Sequence, residues 1–191
     1  MKTPEEISKE EVDAENLIVE YYDDERSVIL AWAKFIDELD PDIMTGYNIW
    51  GFDWKYIYFR ALNGNGGSCK PYHELMFKTL SRTLCTGPDE KPKVKFVEKE
   101  LRSSALGQNF LYYIDIQGIV QIDLFKLIQK DYNLTSYKLD AVAEKFMGLN
   151  KEDLKPNQIF ENFRRGTSKD IKEIATYCVQ DCALCNKLLN K

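Results

Sequence analysis

Two short motifs contain the residue types that perform metal-dependent chemistry. In the first, residues 42–53, a hydrophobic strand leads into a turn and Asp53 then opens a helix. A carboxylate at that position can project from the end of a sheet and bind a divalent cation through its oxygen atoms. It can equally serve as a helix cap, because negative charge is favourable at a helix N-terminus. The motif therefore predicts either a metal ligand or a capping residue.

The second motif lies on a long predicted helix near the end of the chain. Tyr177 and Asp181 are four residues apart, so a helix places their side chains on one face. The phenol is then able to orient a water molecule that an Asp-bound metal activates. The alternative is a tyrosine at the helix rim beside an ordinary surface aspartate. The core stripe of this helix is predicted at Ile171, Ile174, Ala175, Cys178, Cys182, Cys185 and Leu189, with Tyr177 and Asp181 on its flank.

Hydrophobic periodicity predicts the elements that position these motifs. Strands are expected at 17–22, 43–47, 110–116 and 119–122, the last two as a hairpin around Gly118. Helices are expected at 25–39, 52–62, 124–132, 138–147, 157–164 and 169–190. The first helix should present Val28, Trp32, Phe35, Ile36 and Leu39 to the core, and Gly148 and Gly166 should be C-caps.

The whole chain, 1–191, is expected to be a single domain of the α/β (α+β) class, with helices packed on a central mixed sheet. Residues 1–16 are charged and predicted to be a loose, disordered end or a strand lead-in. Residues 63–108 are predicted to be a peripheral insertion.

Composition indicates a soluble, folded intracellular protein. Of the 191 residues 44% are hydrophobic, which is enough for one well-buried core, and the net charge is −5. That charge does not indicate nucleic-acid binding, although metal ions and a basic partner domain allow an acidic domain to hold DNA. The odd number of cysteines, five, favours a reducing compartment. No apolar run is long enough for a membrane span, and the N-terminus is acidic rather than signal-like.

Taken together and in this order, the motifs resemble the second and third exonuclease motifs of family B DNA polymerases. These are Asn-x-x-x-Phe-Asp at 48–53 and Tyr-x-x-x-Asp at 177–181. The chain between them is similar to the polymerase-delta-like branch, which occurs in eukaryotes and in large DNA viruses. The similar blocks are 40–43, 103–107, 121–124, 136–143 and 148–154.

The resemblance implies a ribonuclease-H-like fold and a 3′→5′ proofreading exonuclease domain, part of a replicative DNA polymerase. Such a domain hydrolyses the 3′-terminal phosphodiester of DNA with two Mg²⁺ or Mn²⁺ ions. By this likeness Asp53 and Asp181 are metal ligands and Tyr177 positions the attacking water.

The same resemblance implies how DNA and other partners are held. Asn48 and Phe52 would bind the unpaired single-stranded 3′ end of the primer by hydrogen bonding and stacking. Lys151 would be a catalytic basic residue that contacts a ligand carboxylate or offsets phosphate charge. The implied partners are DNA, the remainder of the polymerase chain and, through the full-length enzyme, a sliding clamp. The implied location is the nucleus or a viral replication compartment.

The sequence departs from the family at the first exonuclease motif, an Asp-x-Glu on a hydrophobic strand. Asp13-Ala14-Glu15 has the right residues, but the charged residues 8–11 before it do not form a buried strand. Asp115-Ile116-Gln117 lies downstream of Asp53 and ends in an amide. We therefore expect the N-terminal strands to be incomplete and this chain alone to have little or no nuclease activity. It contains no palm-domain aspartates, so we do not expect it to synthesise DNA.

Two alternatives come from other classes of protein. Cys178, Cys182 and Cys185 have the spacing of an iron–sulfur motif, although a continuous helix would arrange them in a line rather than around a cluster. A non-catalytic module that binds single-stranded DNA or acts as a scaffold would keep the fold without the chemistry.

Overall fold

The computed structural model describes residues 17–64, 71–82, 94–103, 107–148 and 154–191. Its elements in chain order are α1 (Glu25–Leu39), β1 (Ile43–Gly46), α2 (Asp53–Asn63), α3 (His73–Leu80), β2 (Lys95–Ser103), β3 (Gly107–Asp115), β4 (Val120–Asp123), α4 (Leu124–Asp131), α5 (Leu139–Met147), α6 (Pro156–Arg165) and α7 (Ser168–Leu189). This mixed composition confirms the expected α/β class, and the predicted helices are present with ends shifted by one or two residues.

The chain separates into two compact units. One is Tyr21–Lys130, and the other has 17–20, 131–148 and 154–191 as its described residues. The assignment of all 191 residues to a single domain stays a prediction.

The strands of the unit 21–130 form two separate two-stranded sheets in the described part of the chain. β1 runs parallel to β4, with Gly46 opposite Asp123, and β2 runs antiparallel to β3. The predicted hairpin around Gly118 is therefore wrong, because β4 leaves β3 and pairs with β1. β3 instead pairs along all nine of its residues with β2, and the Arg82 guanidinium donates to the carbonyl oxygens of Gly118 (2.5 Å) and Pro41 (3.0 Å), near the starts of β4 and β1.

Helix α1 has a side-chain cap at its N-terminus and a left-handed residue at its C-terminus. The Asp24 side chain caps it by accepting from the Ser27 N–H at 2.8 Å, and Asp40 ends it in a left-handed conformation before Pro41. Its predicted core face is wrong in part: Ala33 is fully buried beside Ile29 and Ile36, whereas Phe35 is 58% exposed. Val28 and Leu39 are exposed as well. Apolar residues occupy two sides of this helix, and periodicity alone does not show which side meets the core.

The described parts of 63–108 belong to the core of this unit. Helix α3 buries Met76, Phe77 and Leu80, and it packs against α1. Tyr58 on α2 stacks on Phe96 of β2 with ring centroids 3.9 Å apart. That these residues are an insertion relative to the family stays a prediction, but those described are not peripheral to the packing.

The strand predicted at 17–22 is wrong. These residues have no regular structure, and Ile18 and Tyr21 are 85% and 71% exposed. β-branched and aromatic residues form a strand only where a neighbouring strand accepts their backbone hydrogen bonds. None of the described strands pairs with this segment.

The second unit consists mainly of α5, α6 and α7, with α7 packed against the other two. Gly148 and Gly166 end α5 and α6 at φ of 66° and 65°, which confirms both predicted C-caps. The predicted core stripe of α7 is wrong in part, because Cys178, Cys182 and Leu189 are exposed. Contact with the neighbouring helices selects the side of α7 that carries Leu184, Cys185 and Leu188. Among the described residues no helix is both long and apolar enough to span a bilayer.

Candidate functional site

The turn that follows β1 delivers the first motif to the start of α2. Asn48 adopts a left-handed conformation (φ 61°), which asparagine tolerates better than most residues. The N–H groups of Gly51 and Phe52 both donate to the Asn48 carbonyl at 3.0 Å. The chain therefore reverses within four residues and places Phe52 and Asp53 where α2 begins.

Gly51 leaves the space that the Asn48 side chain occupies. A Cβ added at Gly51 would lie 2.3 Å from Asn48 Oδ1, closer than any real contact. A larger residue at position 51 would displace the Asn48 amide. The glycine therefore permits the observed direction of that amide.

Asp123, at the end of β4, holds this turn in place. Its side chain is buried (1% exposed), and Oδ1 accepts from the Asn48 N–H at 2.8 Å while Oδ2 accepts from the Trp50 N–H at 3.0 Å. Oδ1 also accepts from the Phe125 N–H at 3.0 Å, which caps α4. One carboxylate thus joins the turn after β1 to the helix after β4.

Sequence reasoning missed Asp123 as a functional residue, although it lies in the block 121–124 that resembles the family. The available signal was an aspartate between a predicted strand and a predicted helix. Its partners lie 73 and 75 residues away in the chain, so only the parallel pairing of β1 with β4 brings them together.

The carboxylates of Asp123 and Asp53 are both harder to ionise than usual. Burial raises the pKa of Asp123, against the lowering effect of its backbone hydrogen bonds. Asp53 is exposed, but neighbouring atoms desolvate its carboxylate enough to raise its pKa, and repulsion from Asp123 adds to the shift. A cation near Asp53 would relieve both effects.

Asp53 is the first residue of α2 rather than its N-cap. The N-cap position belongs to Phe52, which makes no side-chain capping bond. The capping role considered for Asp53 is therefore not the observed arrangement, although its charge still complements the helix dipole.

Phe52 presents an exposed aromatic ring beside Asp53. The ring is 62% exposed and stacks on Tyr56 at 5.8 Å between centroids with a 9° angle between planes. An exposed ring of this kind is available to a flat ligand.

Tyr177 and Asp181 lie together on α7, in the second compact unit, and both are half-buried. The structure therefore brings Asn48, Phe52 and Asp53 into one turn, and Tyr177 and Asp181 onto one helix. Lys151 lies outside the described residues, as do Asp13 and Glu15 of the near match to the first motif.

The corner between α6 and α7 fixes the start of the helix that carries the second motif. The Arg165 guanidinium donates to Asp170 Oδ1 at 2.6 Å, and the Thr167 hydroxyl donates to Asp170 Oδ2 at 2.5 Å. These bonds lower the pKa of Asp170 to about 2, and the bond from Arg165 has the largest effect. Asn162 on α6 also donates to Glu173 on α7 at 2.9 Å.

The described residues fit a divalent ion only in part. Asp53 supplies an exposed carboxylate, but the Asp123 oxygens are committed to three backbone N–H groups. Within the described ranges no three His, Cys, Asp or Glu residues lie together as a metal-binding group. This finding also leaves the iron–sulfur alternative without a site there, since Cys178 and Cys182 are exposed while Cys185 is buried.

The chain is similar to one protein family model and to several DNA polymerases. The model of the "DNA polymerase family B, exonuclease domain" matches residues 1–142, which include the turn and Asp123 but not α7. The DNA polymerase of Pyramimonas orientalis virus is 38% identical over 87% of this chain and 17% of its own length. The DNA polymerase delta catalytic subunit of Oryza sativa subsp. japonica is 34% identical over 89% of this chain and 14% of its own length. The chain thus spans less than a fifth of the length of these relatives.

Proposed function

This chain belongs to the exonuclease-domain family of the family B DNA polymerases, and from this premise we propose that it forms part of a 3′→5′ proofreading site in a replicative DNA polymerase. The reaction is hydrolysis of the 3′-terminal phosphodiester of DNA. The observation that carries the proposal is the turn at Asn48–Asp53. It presents an amide, an exposed ring and a carboxylate side by side, and two of its backbone N–H groups donate to the buried Asp123 carboxylate.

Each residue of the site has a role that its chemistry suits. The Asn48 amide hydrogen-bonds the 3′-terminal nucleotide, and the exposed Phe52 ring stacks on its base. Asp53 and Asp181 are the metal ligands in this chain, and Tyr177 orients the attacking water. Lys151 provides positive charge near a ligand carboxylate or the phosphate. Two Mg²⁺ or Mn²⁺ ions, when bound, activate the water and stabilise the leaving oxygen.

The raised pKa of Asp53 supports the metal-ligand role. A carboxylate that is partly desolvated and faces another carboxylate gains more from a bound cation than a fully solvated one does. Asp123 then acts through the turn, as a positioning residue, and not by binding the ion itself.

The partners and location follow from the same proposal. The substrate is the single-stranded 3′ end of a primer, and because this segment has a net charge of −5, the remainder of a polymerase chain supplies most of the positive charge that binds DNA. A sliding clamp would act through the full-length enzyme. The protein would work in the nucleus or in a viral replication compartment.

The first test is an exonuclease assay on the purified chain. A single-stranded oligonucleotide with a label near its 3′ end is incubated with Mn²⁺ and the wild type, Asp53→Ala or Asp181→Ala. We expect little or no shortening, because two carboxylates bind a divalent ion weakly. Shortening that both substitutions abolish would instead mean that other carboxylates of this chain complete the site.

A chimaera tests the proposed chemistry directly. Residues 1–191 replace the matching segment of the Pyramimonas orientalis virus polymerase, which supplies the flanking chain. The chimaera should shorten the 3′ end, and Asp53→Ala or Asp181→Ala should reduce the rate at least about 100-fold while Asp131→Ala, on the exposed end of α4, leaves it unchanged. Shortening that persists in both site variants would refute the proposal.

One observation favours a second candidate, a module that binds single-stranded DNA without cutting it. The described residues include no three-ligand metal group, whereas the ring and amide of the turn are present. Binding of a labelled single-stranded oligonucleotide by the purified chain, measured by fluorescence anisotropy, together with an inactive chimaera would favour this function.

A further inference from the structure

A surface groove of about 430 Å³ follows the length of α2. Its lining begins at the turn of the site and reaches the end of the helix, and includes Phe52, Lys55, Tyr56, Phe59 and Arg60. The helix has 11 residues, so the groove extends roughly 16 Å from the site. A ligand chain that begins at the turn therefore has a surface to continue along.

Two parallel aromatic rings form the floor of this groove where it leaves the site. Phe52 and Tyr56 are 62% and 54% exposed, and their planes differ by 9°. Their centroids are 5.8 Å apart, well beyond the roughly 3.4 Å between stacked bases in a duplex. Because both rings also remain more than half exposed, each can stack on one of two successive bases of an extended strand.

The charge of the groove suits the backbone of the same ligand. Its lining contains two cations and no carboxylate, in a chain whose net charge is −5. Arg60 is engaged by Glu25 through two bonds of 2.6 Å, which hold α2 to the start of α1. The Lys55 ammonium lies 4.3 Å from the centroid of the Tyr112 ring, a cation–π contact that leaves its N–H groups able to donate to a phosphate.

We propose that Tyr56 is a second stacking position, which binds the nucleotide preceding the 3′-terminal one, and that the single strand runs along α2 past Lys55. This inference rests on the proposed function and extends its substrate site by one nucleotide. The occupant is single-stranded nucleic acid, because adjacent exposed rings with a cation beside them match alternating bases and phosphates.

Fluorescence of 2-aminopurine tests the two positions separately. The base is placed at the last or the next-to-last position of an oligothymidylate, and emission and affinity are measured with the full 191-residue chain in EDTA, where cleavage cannot occur. Tyr56→Ala should restore emission at the next-to-last position and weaken binding about fivefold or more, whereas Phe52→Ala should act on the last position. Tyr56→Phe keeps the ring and should behave as the wild type does.

The controls separate the two proposals. Phe163→Ala removes an aromatic side chain that is 73% exposed on α6 and should change neither signal. Tyr56→Leu, which retains bulk without a planar ring, should repeat the effect of Tyr56→Ala, and circular dichroism checks that each variant is folded. If Phe52→Ala acts but both Tyr56 substitutions leave the next-to-last position quenched, this inference is overturned and the proposed 3′-end site stands. If the wild type binds neither oligonucleotide, the stacking positions proposed for Phe52 and Tyr56 are both refuted, and the chimaera alone then decides whether the proposed cleavage stands.

Discussion

Asp123 shows how one buried side chain connects the backbone segments of the candidate site. A buried carboxylate is costly unless its oxygens accept hydrogen bonds. Here three backbone N–H groups satisfy it, two of them in the turn that carries Asn48 and leads to Asp53. The same bonds that compensate for its burial therefore fix the residues proposed to bind DNA and metal.

We predict that Asp123→Ala destabilises the chain by about 3 kcal/mol, because it leaves three backbone N–H groups without their acceptor. The loss of the hydrogen bonds by itself would cost more. Burial of this carboxylate is unfavourable, as its raised pKa shows, so removing it restores part of the free energy of unfolding. Urea unfolding measures the change. Asp131→Ala, at the exposed end of α4, is the matched control and should change stability by less than about 0.5 kcal/mol. Equal stability of the two variants would contradict the role given to Asp123.

Gly51→Ala should affect binding more than stability. Its Cβ would displace the Asn48 amide, whose Oδ1 lies 2.3 Å from that position, so affinity for a single-stranded 3′ end should fall about fivefold to tenfold. Gly148→Ala is the comparison, because Gly148 is far from the turn in sequence. Its φ of 66° is unfavourable for alanine, so the substitution should lower stability by about 1 kcal/mol. Fluorescence anisotropy with labelled oligonucleotide and urea unfolding separate the two effects. Loss of binding in Gly148→Ala alone would be contrary to this prediction.

At the scale of elements, the orientation of α7 is set at its first turn. Thr167 caps the helix through the Asp170 N–H, and Arg165 from α6 pairs with the Asp170 carboxylate. The side of α7 that carries Leu184 and Leu188 then packs inward. Tyr177 and Asp181 lie further along the same helix, so their direction depends on this corner.

The pH dependence of stability should reveal the Asp170 interaction. Its pKa is depressed in the folded chain, to about 2 from an ordinary 3.8, so its contribution is fully present above pH 3.8 and is lost as the pH falls through about 2. Urea unfolding between pH 5 and pH 2 should therefore show a smaller acid-induced loss of stability for Asp170→Asn than for the wild type. Asp131→Asn should keep the wild-type slope. Parallel curves for all three proteins would rule out this interaction as a source of stability.

At the scale of the whole molecule, the hydrophobic core cluster lies entirely within the unit 21–130. Its buried members run from Ala33 to Ile116, and include Trp54 on α2 and Met76 on α3. This unit also holds both two-stranded sheets and the turn of the candidate site. The second unit, by contrast, is built mainly from three helices.

We predict that residues 21–130 fold when expressed alone, because their core is formed by their own side chains. The fragment should show a cooperative urea transition and protected amides in α2 and β4 by hydrogen exchange. Residues 131–191, expressed in the same way, are the comparison and should unfold at lower urea. A non-cooperative transition for 21–130 would mean that its core depends on the rest of the chain.

The sequence alone determined both glycine C-caps, the mixed α/β class, the positions of the two motifs and every described helix except α3, which lies in residues interpreted as an insertion. These features depend on interactions within a few residues, which periodicity and capping preferences describe well. The strand at β1 was predicted from its hydrophobic residues, and the turn before Asp53 from its Asn and Gly residues. Within that turn the Gly51 and Phe52 N–H groups both donate to the Asn48 carbonyl, which is a local interaction.

Only the tertiary structure decided which strands pair, which faces of α1 and α7 are buried, and what holds the turn. β4 pairs with β1 while β3 pairs with β2, and Arg82 donates to backbone carbonyls near the starts of β4 and β1. Asp123 meets the turn because that parallel pairing brings together residues more than 70 positions apart. Alternation and propensity carry no information about such partners, since strand pairing and the burial of a helix face are chosen by the packing of distant segments.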